Sequence, residues 1–172
     1  MSMQQAILAR KAILFLMMVV SICGLAQWKK TPLERPTWIN PNLYRADADA
    51  PKEIRVAVAA AAKSNKRILL VFGANWCLDC HVLDRAFHQP RVAPLLEGNF
   101  VVVHVDVGEY NKNLDLARKY RVNLNKGVPS LAVLGPHGAM LFSTTEFEKA
   151  RAMNEEDVIA FLNTWKPKAA GH

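Results

Sequence analysis

Two cysteines and a histidine within five residues are the strongest chemical signal in this sequence. Cys77, Cys80 and His81 stand in the run CLDCH. The run fits C-x-x-C-H, the pattern that attaches haem covalently, and it also fits C-x-x-C, the spacing of a redox-active thiol pair. The first interpretation predicts electron transfer through iron, whereas the second predicts thiol-disulfide exchange through two sulfur atoms. The structural elements around the run must decide between the two.

The first 26 residues form a segment of a different kind. Arg10 and Lys11 precede an uncharged apolar run, AILFLMMVVSICGLA, over residues 12–26. This run is shorter than the roughly 20 residues that cross a bilayer as a helix. A basic start, a short apolar stretch and small residues before position 27 predict a secretory signal peptide over residues 1–26. The alternative is an uncleaved anchor over residues 7–26. Either interpretation predicts a periplasmic or otherwise extracytoplasmic protein, which meets the membrane only through this segment.

Removal of this segment would leave a mildly basic chain with a single pair of thiols. The formal charge would fall from +7 to +5, because Arg10 and Lys11 are lost without any acidic residue. The other basic residues are scattered and form no stripe with aromatic residues, so nucleic acid is not an expected partner. Cys23 would be lost too, which leaves Cys77 and Cys80 as the only cysteines. These two form no framework of structural disulfides, but one local pair in oxidising surroundings.

The rest of the chain is long enough for one domain with its own core. Pro32, Pro36 and Pro41 predict an extended linker over residues 27–46, since each proline removes a backbone donor and restricts the residue before it. We therefore expect a single domain over residues 47–168.

The cysteines follow a predicted buried strand and open a predicted helix. Asp49 caps a first helix. The apolar run 68–72, ILLVF, is typical of a strand that is buried on both faces. The turn GANW over residues 73–76 then delivers Cys77 and Cys80 at the start of the next helix.

The downstream elements complete an α/β pattern. In order, they are a strand over 100–105, a helix over 113–120, a strand over 130–134 and a hairpin strand over 139–143. Asn154 and Asp157 form a capping pair at the start of the last helix. The order helix, β, α, β, α, β, β, α predicts a mixed central sheet flanked by helices.

Haem fits this pattern poorly. A c-type haem domain is mostly helical and needs a second axial ligand, commonly a methionine. The downstream methionines are Met140, in a predicted strand, and Met153, just before a helix cap. The predicted strands around the cysteines therefore favour sulfur chemistry.

The strand, the turn and the W-C-x-x-C opening of the helix resemble the thioredoxin superfamily. A second resemblance is the step Val128-Pro129, within GVPS, directly before the strand 130–134. The run FGANWC over residues 72–77 is most similar to exported bacterial thioredoxin-like proteins, including the C-terminal domain of the transmembrane thiol-disulfide interchange protein. The resemblance covers about residues 49–165 and implies a thioredoxin-like fold, with a cis proline facing the disulfide.

The same resemblance implies a function. It is that of a thiol-disulfide oxidoreductase whose partners are protein thiols and disulfides. The Asp79 carboxylate beside Cys77 further predicts the role of a reductase, because it stabilises the oxidised form of the pair. The resemblance also implies that no cofactor is needed and that a membrane electron donor of the thiol-disulfide interchange type supplies the electrons.

The position of each cysteine on the helix predicts its role. A thiol at a helix N-terminus faces unpaired N–H groups and the positive end of the helix dipole, which stabilise a thiolate. We therefore expect Cys77 to attack a substrate disulfide and Cys80 to resolve the mixed disulfide. Trp76 is expected to shield the pair. Val128 and Pro129 are expected to offer a backbone edge to an extended substrate.

Asp79 and His81 are expected to tune the pair in opposite directions. A carboxylate beside Cys77 disfavours its thiolate, whereas a protonated His81 on the same helix face favours it. Thioredoxins also keep a buried acid beneath the second cysteine, and Val71 stands at that position here. In thioredoxins this acid commonly pairs with a basic residue on the neighbouring strand, and that position falls at about Val102 here. Because both positions are apolar, the thioredoxin proton relay is expected to be absent.

Two loops are longer than those of a minimal thioredoxin. They lie near residues 108–111 and 123–126, and the second directly precedes Val128-Pro129. Loops over a reactive pair often select the partner, so we expect these two to do so.

Two alternatives to redox catalysis remain open from the sequence. The first is a copper or zinc site, because Cys77, Cys80 and His81 are residue types that these metals accept. Thioredoxin-like copper-delivery proteins, however, space their cysteines by three residues. The histidines available as a distant ligand are His88, His104 and His137. The second alternative is a non-catalytic binding module with idle thiols.

Overall fold

The computed structural model describes residues 31–37 and 39–168. The predicted signal peptide or anchor at residues 1–26 therefore lies outside the described residues. Among the helices that are described, none combines the length and the apolar character needed to cross a membrane.

A four-stranded mixed sheet forms the centre of the fold. Its strands are β1 (Arg67–Gly73), β2 (Phe100–Asp106), β3 (Ser130–Leu134) and β4 (Met140–Thr144). The spatial order is β2-β1-β3-β4, with β1 parallel to β2 and antiparallel to β3, and β4 antiparallel to β3. Strand β1 is thus interior, and six of its seven residues are buried, as a continuous apolar run predicts.

The described part of the chain has five α-helices and two 3-10 helices. The α-helices are α1 (Ala50–Ser64), α2 (Leu78–Phe87), α3 (Ala93–Asn99), α4 (Leu114–Lys119) and α5 (Glu155–Trp165). The 3-10 helices cover Leu124–Lys126 and Glu146–Ala152. Together with the sheet, these elements confirm the predicted α/β fold with a mixed sheet flanked by helices.

Side-chain caps fix where two of the helices begin. The Asp49 carboxylate accepts a hydrogen bond from the N–H of Lys52 at 2.9 Å, at the start of α1. Asn154 and Asp157 exchange side-chain to backbone hydrogen bonds at the start of α5, which is a complete capping box. Both predicted helix starts are confirmed.

The described residues between 31 and 46, which are 31–37 and 39–46, contain no helix, yet they pack against the domain. Pro32 forms an isolated antiparallel bridge with Asn154. Leu33 and Tyr44 are buried in the core, Tyr44 to 1% exposure. The prolines prevent a helix, but burial of these apolar side chains holds the segment in place. The described part of the predicted linker thus lies along the domain, and Tyr44 reaches the site described below.

Candidate active site

The two cysteines form a disulfide at the N-terminus of α2. Cys77 is the N-cap residue, and its Sγ accepts a hydrogen bond from the N–H of Cys80 at 3.1 Å. A disulfide joins the two residues, whose Cα atoms are 5.3 Å apart. The first sulfur therefore lies where the helix N–H groups are unpaired, as predicted. This setting favours a negative charge on Cys77 once the disulfide is reduced.

The Val128-Pro129 step faces the disulfide. The peptide bond between these residues is cis. The Val128 carbonyl oxygen lies 3.4 Å from Cys77 Sγ, although 51 positions separate the two residues in the chain. Gly127 just before this step has φ 117°, a conformation that favours glycine. The fold thus brings the two sequence motifs together, as the resemblance implies.

Trp76 lies on the surface beside the pair. Its side chain is 49% exposed, and its Nε1 donates a hydrogen bond to the Gly108 carbonyl at 3.0 Å. Its ring also contacts the Tyr110 ring, with centroids 5.6 Å apart. The first of the two long loops is therefore fixed to the active-site turn through Trp76.

Asp79 is buried and forms an ion pair with Arg151. It is 7% exposed and accepts hydrogen bonds from the Arg151 backbone N–H at 2.8 Å and from Arg151 Nε at 3.0 and 3.1 Å. Arg151 Nη2 lies 2.9 Å from the same carboxylate. A guanidinium that the sequence did not reveal therefore offsets the carboxylate charge beside Cys77. Arg151 comes from the unpredicted 3-10 helix, 72 positions away.

His81 supports the active-site turn. It is 3% exposed, and its Nε2 lies 2.8 Å from the Asn75 carbonyl oxygen. Because a carbonyl can only accept, Nε2 carries the proton and donates. This contact holds the residue that precedes Trp76. An influence of His81 on the charge of Cys77 stays a prediction.

Asn75 connects the turn to the N-terminal segment. Its side-chain oxygen accepts from the Tyr44 N–H at 2.9 Å, and its side-chain NH₂ donates to the Tyr44 carbonyl at 2.8 Å. Neither Tyr44 nor Asn75 was predicted as a site residue. No local signal reveals this clamp, because 31 positions separate its members.

Beneath the disulfide, a histidine stands where a basic residue was expected. Val71 pairs with His104 in the parallel register of β1 and β2, whereas Val102 pairs with Leu69. The expected position at Val102 is therefore wrong by two residues. Burial lowers the pKa of His104, although the nearby carboxylate of Asp84 opposes this shift. The layer under the pair thus combines an apolar Val71 with a histidine that prefers to be neutral.

The metal alternative finds no support in this geometry. Within residues 31–37 and 39–168, no three side chains of His, Cys, Asp or Glu converge in a way that could hold a metal ion. The haem alternative required the flanking strands to be absent, and β1 and β3 are both present on either side of the cysteines in the chain.

Comparison with known proteins agrees with the site. Residues 49–136 match the family model described as thioredoxin-like. A disulphide isomerase from Xylella fastidiosa Temecula1 superposes with a TM-score of 0.69 at 33% identity, covering 74% of this chain and 98% of that one. The oxidised C-terminal domain of Neisseria meningitidis DsbD shares the fold, with a TM-score of 0.50 at 20% identity over 67% of this chain and 96% of that domain.

A curated relative is much longer than this chain. The thiol:disulfide interchange protein DsbD of Pseudomonas fluorescens is 30% identical over 118 residues, which are 67% of this chain but 18% of that protein. This chain therefore spans less than a fifth of the relative's length. Since the family model matches more than half of the chain and the two motifs meet in space, the chain belongs to the thioredoxin-like family, with the Cys77–Cys80 pair of a thiol-disulfide oxidoreductase.

Proposed function

We propose that this protein is an extracytoplasmic reductase of protein disulfides. The observation that carries the proposal is the Cys77–Cys80 disulfide at the N-terminus of α2, with the Val128 carbonyl against it. A sulfur in this position is activated by the helix, and the chain edge at Val128 lies where an extended client segment can pair with it.

The reaction transfers two electrons from the dithiol to the client. The Cys77 thiolate attacks a client disulfide, so that a bond forms between Cys77 Sγ and one client sulfur while the other client sulfur leaves as a thiolate. The Cys80 thiolate then attacks Cys77 Sγ, which forms the Cys77–Cys80 disulfide and expels the second client thiolate. The protein ends oxidised and the client reduced.

A membrane electron donor of the thiol-disulfide interchange type would return the protein to its dithiol form. The similarity to part of DsbD supports this partner. The reverse exchange would then run at the same two sulfurs, with the donor's thiolate attacking the protein disulfide.

The surface beside the disulfide offers a place for the client. Trp76 and Tyr110 are 49% and 41% exposed. A cavity of about 460 Å³ adjoins Tyr110, and both long loops contribute to it; its lining residues are Tyr110, Leu114, Leu124, Asn125, Lys126 and Gly127. Exposed aromatic rings near a reactive centre are suited to hold an apolar client segment. The loops around residues 108–111 and 123–126 would thus select the client.

The location rests on the sequence. The basic start and apolar run over residues 1–26 support export or anchoring. A chain whose cysteines outside that run form one exchange pair also suits an oxidising compartment.

The reduction potential tests this proposal. We expect a single two-electron couple nearer to thioredoxin's value of about −270 mV than to the value of about −120 mV of a strong oxidant. The reason is that the Asp79–Arg151 pair leaves no net positive charge beside Cys77. Equilibration of the purified protein with redox buffers of known potential measures this value.

An insulin reduction assay with the same preparation tests the direction. The wild-type protein should accelerate insulin reduction by dithiothreitol, and a variant with both Cys77 and Cys80 replaced by serine should not. A potential near that of the strong oxidant would overturn the reductase role. A haem absorption band, or bound copper that survives dialysis, would instead favour one of the metal alternatives.

A further inference from the structure

The Tyr44 hydroxyl is buried without a hydrogen-bond partner. Tyr44 is 1% exposed, and its hydroxyl oxygen finds no partner among the residues that the structure describes. Such a group is uncommon, because the lost hydration is not replaced by an internal hydrogen bond. A redox or catalytic role is one explanation for such a group, and the position of Tyr44 next to a reactive pair favours it.

The hydroxyl lies next to the second sulfur of the disulfide. A Cβ atom at Gly73 would lie 2.5 Å from Tyr44 Cζ and 2.8 Å from Cys80 Sγ, and the Tyr44 oxygen is closer to that point than Cζ is. The Tyr44 oxygen and Cys80 Sγ are therefore no more than about 5 Å apart. Glycine at this position leaves the space between them open. Opening of the disulfide frees the Cys80 side chain to rotate, and the contact then needs its sulfur within hydrogen-bond reach of the hydroxyl.

Tyr44 is held rigidly in this place. Asn75 makes two hydrogen bonds to the Tyr44 backbone. The phenol ring meets the His104 ring edge to face, with centroids 5.3 Å apart. These contacts with the active-site turn and with β2 hold the hydroxyl near Cys80 Sγ.

The charged surroundings keep Tyr44 a donor. Burial raises the pKa of the Tyr44 phenol, and the carboxylates of Asp84 and Asp106 raise it further. The third titratable neighbour is His104, whose pKa burial lowers. Tyr44 therefore retains its proton at physiological pH and can donate a hydrogen bond, but it cannot act as a base.

We propose that the Tyr44 hydroxyl donates a hydrogen bond to the Cys80 sulfur whenever that sulfur carries negative charge. When a partner thiolate attacks Cys77 Sγ, a new S–S bond forms, the Cys77–Cys80 bond breaks, and Cys80 leaves with the electron pair as a thiolate. In the opposite direction, the Cys80 thiolate attacks Cys77 Sγ and expels the partner thiolate. A donor aimed at the developing charge stabilises both transition states.

Tyr44 thus acts on the second cysteine, as the buried acid of thioredoxins does, but it works differently. Val71 provides no carboxylate beneath Cys80. Tyr44 stabilises the thiolate without exchanging a proton with it. The inference requires only thiol-disulfide exchange at this pair, and it is independent of the client and of the direction of the reaction in the cell.

The substitution Tyr44→Phe tests the inference, because it removes the hydroxyl and keeps the ring. The measurement is the rate constant for opening of the protein disulfide by excess dithiothreitol, without any client. We expect this rate constant to fall about tenfold, since a hydrogen bond to a charged sulfur is lost in the transition state. Tyr120→Phe is the matched control, because Tyr120 is 4% exposed and lines a cavity away from the cysteines; its rate should stay within about twofold of wild type.

A second measurement uses the thiol of Cys80 alone, which also requires the substitution Cys23→Ser. In the Cys77→Ser background, thiolate absorbance gives the Cys80 pKa, and Tyr44→Phe should raise it. The denaturation midpoint of the oxidised Tyr44→Phe protein should equal or exceed that of wild type, because a buried unpaired hydroxyl is removed. An unchanged opening rate would overturn the inference, whatever the midpoint. An unchanged Cys80 pKa would overturn it as well. Failure of insulin reduction would count against the proposed reductase role and leave this test intact.

Discussion

The substitution Cys80→Ser is expected to trap client proteins on Cys77 as mixed disulfides. The first exchange step needs only the Cys77 thiolate at the helix N-terminus, whereas release of the client needs the second thiol. The converse substitution, Cys77→Ser, should trap few or no clients, because Cys80 lies inside α2 and is less exposed than the N-cap Cys77, at 1% against 4%. Both substitutions should reduce insulin turnover to the uncatalysed rate.

Non-reducing electrophoresis after rapid alkylation measures the trapped species, and mass spectrometry identifies the cysteine involved. The variant with both cysteines replaced is the control for adventitious disulfides. Equal trapping by the two single variants would show that the assignment of the nucleophile is wrong. Trapping by Cys77→Ser alone would reverse the two roles.

The Asp79–Arg151 pair should give the largest effects outside the cysteines. The substitution Arg151→Gln leaves the Asp79 carboxylate, which is 7% exposed, without its cationic partner. We expect the free energy of unfolding of the oxidised protein to fall by about 2–3 kcal/mol, less than for a fully buried pair because the Arg151 side chain is half exposed. The unpaired negative charge should also raise the Cys77 pKa and make the reduction potential more negative by about 30 mV.

The opposite substitution provides a sharp comparison. Asp79→Asn removes the carboxylate and leaves the Arg151 guanidinium, so it should lower the Cys77 pKa and make the potential less negative. The double variant should return close to the wild-type potential. Arg91→Gln is the control, because Arg91 pairs with Glu155 and Glu156 at an exposed site, where solvent screens such pairs and they contribute little to stability. A shift of the potential in the same direction by both single variants of the Asp79–Arg151 pair would contradict this account.

The strands were predictable because their signal is local. The run over residues 68–72 lies within β1, and the predicted strand 130–134 has the observed bounds of β3. Continuous apolar residues bounded by turn residues report burial on both faces directly. Helix α3 was missed, because its seven residues include Pro94 and Gly98 and bury only Leu96, so no helical period appears.

The site residues also divide into those with a local sequence signal and those without one. Short sequence motifs were enough to predict four parts of the site, which are Cys77, Cys80, Trp76 and the Val128-Pro129 step. Their partners carry no such signal: Tyr44 and Arg151 reach the site only through tertiary contacts, with Asn75 and with Asp79 respectively. A spacing rule cannot reveal contacts between residues 31 or 72 positions apart.

The register between β1 and β2 could not be predicted from the sequence either. The sequence placed Val102 opposite Val71, whereas the parallel pairing of β1 with β2 selects His104. A shift of two residues keeps the same face of a strand, so the alternation of side chains along β2 could not distinguish the two positions.

His104 links the acidity of the medium to the cohesion of the fold. In the unfolded chain it takes up a proton near its ordinary pKa of 6.5, whereas burial lowers its pKa in the folded chain. The unfolded chain therefore binds this proton more readily. The stabilisation that comes from keeping the ring neutral is complete above about pH 6.5, and it is lost as the pH falls through that value toward the folded pKa. Acid thus acts against the layer directly beneath the disulfide, where the Tyr44 ring rests on this histidine.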